Sequence, residues 1–368
     1  MARTAGMGAG LPGLSCFDWG EAAEAQTGCA ALYPKQAFKK VRIGIMKQPD
    51  HISTAQTHVS SGVESSIDAL RIVGPAHDRL RRRLGTGQLD ALEGTVQGPW
   101  ASLGVGIASD KGLRLRNEDS AVVLVGRKST PRETVPVVLA AIADGMGGHA
   151  HGDRASGIAI ETLTEHVANN FILADSQPAP DMFSPDIMDE LLTEGVRQAH
   201  AAVRQGAADG GCTLTCLLAV GDTLHIAHVG DSRAYLIRAG NVAVLTRDHL
   251  VVRQLEEIGV LTSEEAARHP QRHILYRALG MDDEFEVDVI HRQIQSTSRL
   301  LLCTDGVWGP LSASDIYLCV ALGQTPQDIC ERLIRDAMLR QATDNATAVL
   351  LHLPAQGAVP ATQASGPE

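Results

Sequence analysis

An α+β fold, a four-layer sandwich of two antiparallel β-sheets packed face to face and flanked by helices on both sides, is what this sequence predicts. Three observations carry the prediction. Short apolar runs are joined by as few as two residues, Gly221-Asp222 and Ala239-Gly240, and joins that short force antiparallel pairing. Helical stretches with a single apolar stripe stand between and after those runs. Strands and helices that are each one-sided need layers, and helix, sheet, sheet, helix buries every stripe.

The 368 residues are 44% hydrophobic and 20% charged, a globular, water-soluble balance, and with only 3% aromatics the core must be built from Ala, Val, Leu and Ile. Cysteines at 16, 29, 212, 216, 303, 319 and 330 form a scattered, odd set without a C-x-x-C pair, which favours reduced thiols in a cytoplasmic compartment. Cys212 and Cys216 sit in an apolar run and read as small buried hydrophobes, since zinc would need a second pair. No run reaches about 18 apolar residues and the N-terminus lacks an apolar signal core, so neither secretion nor a membrane span is expected. The net charge of −11 argues against nucleic acid as a partner. The acidity lies after Gly98, because Lys and Arg slightly outnumber Asp and Glu before it.

Residues 1–98 read as an N-terminal extension, partly disordered and of unknown role. Their one strong helical candidate is 63–84, with apolar residues at 63, 67, 70, 73 and 80 and a basic end at Arg81 to Arg83. From Trp100 the pattern becomes short apolar runs: 103–108, 120–125, 135–143, 213–220, 223–229, 234–238 and 242–245 read as strands, as do 300–303 and 346–353. Helices are expected at 153–170, 185–205, 247–258, 263–268, 312–322 and 326–340. Residues 99–354 thus form one domain, and the Ala/Pro/Gly/Gln-rich tail 355–368 is expected to be disordered.

Acidic residues recur where the apolar runs end: Glu118 and Asp119, Asp144, Asp231, Asp305 and Asp344. Any single Asp-Gly is ordinarily a plain turn. Five such loops, all flanking apolar strands, can deliver six carboxylates into one cleft, where they would repel one another unless a hard divalent cation held them ionised. In Ile-Ala-Asp-Gly-Met-Gly-Gly-His, residues 142–149, the glycines also let a backbone carbonyl face the same point. Oxygen donors without His or Cys favour Mg2+ or Mn2+ over zinc.

Taken together, Arg114-x-x-Asn-Glu-Asp119, Ala143-Asp-Gly-Met-Gly-Gly-His149, Gly211-Cys-Thr213, Val229-Gly-Asp-Ser-Arg-x-Tyr235, Leu245-Thr-Arg-Asp-His249, Leu302-Cys-Thr-Asp-Gly306 and Asp344-Asn-x-Thr-x-Val349 resemble the metal-dependent type-2C protein serine/threonine phosphatases, in their bacterial form. The resemblance covers roughly residues 104–353. It implies two Mn2+ or Mg2+ ions, with Asp144 bridging them, Asp305 and Asp344 completing one site, and the Gly145 carbonyl with Glu118 completing the other. Asp231 resembles the ligand of an additional ion in many bacterial relatives, or merely turns the chain between two strands. Asp119 would orient the metal-bound water and Arg114 would grip the substrate phosphate. His149 is the candidate acid for the leaving group or a structural histidine, because three residues separate it from Asp144-Gly145 where the animal members have none. Residues 250–279 resemble the family's flap beside the cleft. Leu250 and Thr304 stand where the family commonly has Ser, and neither change removes a ligand.

The implied reaction is hydrolysis of phosphoserine and phosphothreonine by direct attack of a two-metal-bound hydroxide. Phosphorylated proteins, including substrates of a Ser/Thr kinase, are the expected partners. A binding module of the same fold without catalysis is one alternative, and a phosphomonoesterase for small molecules is another.

Overall fold

The computed structural model describes residues 67–73, 103–129, 134–146, 151–174, 181–207, 209–238, 240–281, 286–294 and 298–353, all within the unit Gly62–Glu368. One sheet holds β1 (Ile67–Val73), β3 (Asp119–Ser129), β4 (Thr134–Met146), β6 (Leu214–Val220), β7 (Thr223–Val229) and β10 (Asp288–Gln293) in that order, with β5 (Gly211–Cys212) pairing the end of β4. The other runs β2 (Gly104–Asp110), β12 (Ala346–Leu353), β11 (Ser298–Cys303), β8 (Arg233–Arg238), β9 (Asn241–Val244). Every pairing is antiparallel, and the two-residue joins are where they were expected, between β6 and β7 and between β8 and β9.

The layers follow from the period-two alternation of side chains along a strand. On β3, Val122 and Leu124 face outward onto α1 (Gly152–Val167) and α2 (Pro185–Gly206), meeting Ile160, Leu163, Leu192 and Val196. Ala121, Val123 and Val125 face inward and meet Ile107, Leu300, Leu302, Val349 and Leu351 of the second sheet. That sheet's outer residues, Leu301, Cys303, Ala348 and Leu350, pack under α6 (Ala313–Leu322) and α7 (Pro326–Leu339). Strands covered on both faces read as continuous apolar runs, and each large aliphatic side chain so buried contributes about 1.5–3 kcal/mol. The π-helical turn Ala168–Ile172 and short helices α3 (Val251–Glu257), α4 (Ser263–Arg268) and α5 (Asp305–Trp308) complete the described elements.

Three expectations are corrected. Within 63–84 the described residues are strand β1, paired with β3 in the register Leu70 to Leu124, so the chain before residue 99 adds an edge to the first sheet. A short apolar run fits helix and strand periods alike, and here the open edge of β3 decided between them. Strand β4 does not stop at Ala143 but continues through Asp144 to Met146. The helix expected from residue 247 begins at Val251, because the preceding residues are extended and held by the β7–β8 turn, where His249 N–H donates to Gly230 O at 2.8 Å.

Candidate active site

The acidic residues gather at one end of the sandwich because the strands carrying them end there. Asp119 opens β3 and lies directly opposite Asp144 on β4. Asp231 occupies the turn between β7 and β8, where the chain passes from one sheet to the other. Asp305 follows β11 as the first residue of α5, and Asp344 precedes β12. Glu118, Asp144, Gly145, Asp231, Asp305 and Asp344, with Arg114, line one cleft of about 720 Å³. Asp119 lies beneath it, fully buried. His149 falls outside the described residues.

Asp119 joins the two sheets. Its Oδ2 accepts from Thr347 Oγ1 at 2.6 Å and from Thr304 Oγ1 at 3.0 Å, both on the second sheet's side, while Oδ1 is buried without a partner. Burial pushes its pKa up to about 7 against the pull of those two hydroxyls. Asp305 also has a buried Oδ1 without a partner, and burial, aided by the charge of Asp344, raises its pKa to about 6. Asp144 is held well above the carboxylate range by burial and then by Asp119, Asp305, Asp231 and Asp344, and Asp231 is raised by burial and then by Asp305 and Asp248. Burial raises Glu118 too, with Arg114 opposing.

Such a set is costly to ionise without a countercharge, and orphaned carboxylate oxygens are hard donors, so the residues fit a divalent oxygen-binding cation. Among the described residues no three of them are already arranged in ligand geometry around one point. Asp344 is instead answered by Arg114, whose Nη2 donates to its Oδ2 at 2.6 Å and whose Nε donates to Thr343 O at 3.3 Å; the Arg114 side chain is 52% exposed.

The loop bearing Arg114 and Glu118 is shaped by Asn345. Its Nδ2 donates to Lys111 O and Arg116 O at 2.8 and 2.9 Å, and its Oδ1 accepts from Glu118 N–H at 2.8 Å. Gly145 must be glycine for want of room, since a Cβ there would stand 2.1 Å from Gly152 O and 2.7 Å from Glu118 O. Thr213 Oγ1 accepts from Asp144 N–H at 2.9 Å and shares a 2.8 Å hydrogen bond with Ser232, tying the two acidic turns together.

Residues 250–279 stand at the cleft's rim, where Arg272, His273 and Leu275 join its lining. Arg233, of the Val229-Gly-Asp-Ser-Arg-x-Tyr235 motif, makes a bidentate pair with Asp248 at 2.9 and 2.6 Å. Cys212 and Cys216 are buried, and burial holds both thiols far above their usual range. Sequence reading assigned no task to Thr304, Thr347, Asn345 or Trp308. The Thr and Asn sit inside recognised motifs, which was the available signal.

Two helix-flanked antiparallel sheets with a carboxylate-lined cleft at one end define an α+β sandwich with an acidic site of the kind that holds divalent cations. The sequence profile of Protein phosphatase 2C matches residues 128–341, and the chain belongs to that family. It is 36% identical over 249 residues to the serine/threonine protein phosphatase PstP of Mycobacterium tuberculosis, a match spanning 66% of this chain and 43% of that protein. It is 30% identical over 244 residues to the serine/threonine phosphatase stp of Listeria welshimeri, covering 66% of this chain and 93% of that one. Among solved structures, the catalytic domain of PstP in complex with two manganese ions superposes with a TM-score of 0.54 at 31% identity, covering 68% of this chain and 98% of that one. The match thus spans less than half the length of the M. tuberculosis relative. Among the described residues no helix is long and apolar enough to cross a membrane.

Proposed function

We propose that the chain is a metal-dependent phosphatase that hydrolyses phosphoserine and phosphothreonine in proteins. The observation that carries the reading is the set of buried carboxylates, drawn from both sheets, that raise one another's pKa values and leave two oxygens without partners. The names of the relatives, serine/threonine phosphatases, support the substrate class, and the two manganese ions of PstP support the cofactor.

Asp144 would be shared by two Mn2+ or Mg2+ ions, Asp305 and Asp344 would serve one, and the Gly145 carbonyl with Glu118 the other. Asp231 would hold a third. When bound, these ions polarise the phosphoryl group and make water a nucleophile near neutral pH. The protein's own part is orientation. Asp119, fixed by Thr304 and Thr347, positions the attacking water. Arg114 leaves Asp344 and holds the phosphoryl oxygens with its planar fork. His149 remains the proposed acid for the leaving serine or threonine oxygen.

The catalytic unit in this reading runs from β1 to β12, with residues 250–279 as a flap choosing among phosphoproteins, those modified by a Ser/Thr kinase included. The five described cysteines are buried free thiols, which supports a reducing, cytoplasmic setting. The test is hydrolysis of an aryl phosphate by the purified chain with Mn2+, with Mg2+ and with EDTA, beside Asp305→Ala. Metal-dependent turnover that the variant loses is the expected result. A folded protein without turnover under any metal would leave only the docking-module reading.

A further inference from the structure

The Asp231 turn is gripped from three sides, by Thr213, by Thr215 and by His249, the residue just before the flap. Gly230 has φ +110°, and a Cβ there would lie 2.6 Å from Thr213 Cβ, so the turn requires glycine. Gly230 N–H donates to His249 Nδ1 at 3.0 Å while His249 N–H donates back to Gly230 O at 2.8 Å. The other ring nitrogen of His249 lies 3.2 Å from Asp288 Oδ2, and Arg277 Nη1 donates to Asp288 Oδ1 at 2.9 Å. His249, where the flap starts, is thus closed on Gly230, and Arg277 near the flap's end reaches that contact through Asp288. Ser232 O accepts from Thr215 Oγ1 at 2.9 Å on the remaining side.

Asp231 has a further contact that reaches further. Its backbone carbonyl accepts from Trp308 Nε1 at 3.0 Å. Trp308 lies three residues after Asp305, on α5, so one indole spans the gap between two acidic residues of the cleft. Its ring carries the Arg233 guanidinium 3.6 Å from the centroid, and that arginine is fixed by Asp248. Its edge packs against the flap's own small core, Leu250, Val252, Ala266, Leu261 and Leu275. Trp308 thus links α5, the Asp231 carbonyl and the flap core.

We propose that Trp308 is a positioning residue that sets the Asp231 carboxylate against Asp305 and makes that setting depend on the seating of the flap. The inference rests on the metal reading above and adds to it that the ion served by Asp231 is sensitive to what the flap touches. Losing a partly buried N–H donor from a backbone carbonyl shifts an equilibrium by about 1 kcal/mol, roughly fivefold.

The experiment is calorimetric titration of the full chain with Mn2+, comparing wild type, Asp231→Ala, Trp308→Phe and the double variant. Phenylalanine keeps the packing and removes the donor. The expected result is that Trp308→Phe weakens, about fivefold, the one Mn2+ site that Asp231→Ala abolishes, leaves the tighter sites unchanged, and adds nothing in the Asp231→Ala background. Equal weakening of all sites, or of none, would overturn the proposal. A wild-type chain that binds no Mn2+, or an Asp231→Ala chain that binds as wild type does, would overturn it through the metal reading and is visible without any Trp308 variant. Should the Phe variant not fold, tryptophan emission on Mg2+ addition decides. A change in wild type that Asp231→Ala loses supports the proposal, and no change in wild type overturns it.

Discussion

Replacing Thr347 by valine removes one hydroxyl from the junction of the two sheets and preserves the side chain's shape. That hydroxyl is fully buried, donates to Asp119 Oδ2 at 2.6 Å, and lies 2.7 Å from Ser109 Oγ, which in turn accepts from Asn117 Nδ2 at 2.7 Å. Hydrogen bonds to a charged group contribute about 1.5–3 kcal/mol and those to a neutral one about 0.5–1.5 kcal/mol. Thr347→Ser keeps the donor and loses a methyl, so it is the proper control. The folded-state pKa of Asp119 is about 7, above its unfolded value of 3.8, so the lone carboxyl favours folding at acid pH and loses that advantage as pH climbs through 7. The Thr347 bond opposes this by favouring the ionised form. Removing it raises the folded pKa further, and the cost of Thr347→Val should grow as pH rises. Urea unfolding in EDTA should therefore show Thr347→Val less stable than Thr347→Ser by about 1.5–3 kcal/mol at pH 8 and by about 0.5–1.5 kcal/mol at pH 5. Identical stabilities of the two variants, or a gap that does not change with pH, would refute the account of Asp119.

His228 is fully buried, contacts Thr215 Oγ1 and Arg247 O at 2.8 and 2.9 Å, and burial lowers its pKa from 6.5 to about 4. Its contribution is complete above pH 6.5 and is lost as pH falls toward 4, on the order of 3 kcal/mol. Unfolding curves for His228→Gln should be flatter than wild type over that window, and parallel curves would count against it. A truncation starting at residue 99 removes β1 from the edge of β3, whereas one starting at Gly62 keeps it. The shorter chain should melt several degrees lower, about 2–4 °C per kcal/mol lost, and equal melting temperatures would show that β1 adds nothing.

The sequence carried the sandwich well because strands covered on both faces cannot hide. The runs at 223–229 and 346–353 are strands over those same residues. Strand β10 went unnoticed because Asp288, His291, Arg292 and Gln293 make it polar, as an edge strand with one wet face can be. Helix α5 is a single turn, too short to show a period. The acidic residues were legible as a set because each follows or precedes an apolar run. Their supports were not. Thr347 lies 228 residues from Asp119 and Thr304 lies 185, and a threonine in or just after a strand reads as an ordinary β-branched or capping residue until the second sheet is in place.

In the second sheet β2 is hydrogen-bonded to β12, with Gly104 opposite His352. The first strand of that sheet to be synthesised thus waits for the last one, and Asp344 leaves the ribosome only just ahead of it. At about 5–20 residues per second the gap between the two strands is roughly 12–50 s. For most of that interval the nascent chain holds Asp119 and Asp144 on paired strands β3 and β4 with no completed second sheet to supply Thr304 and Thr347. Assembly of the cleft on this reading waits for β12, and a chain cut short before it lacks the strand that joins β2 to β11.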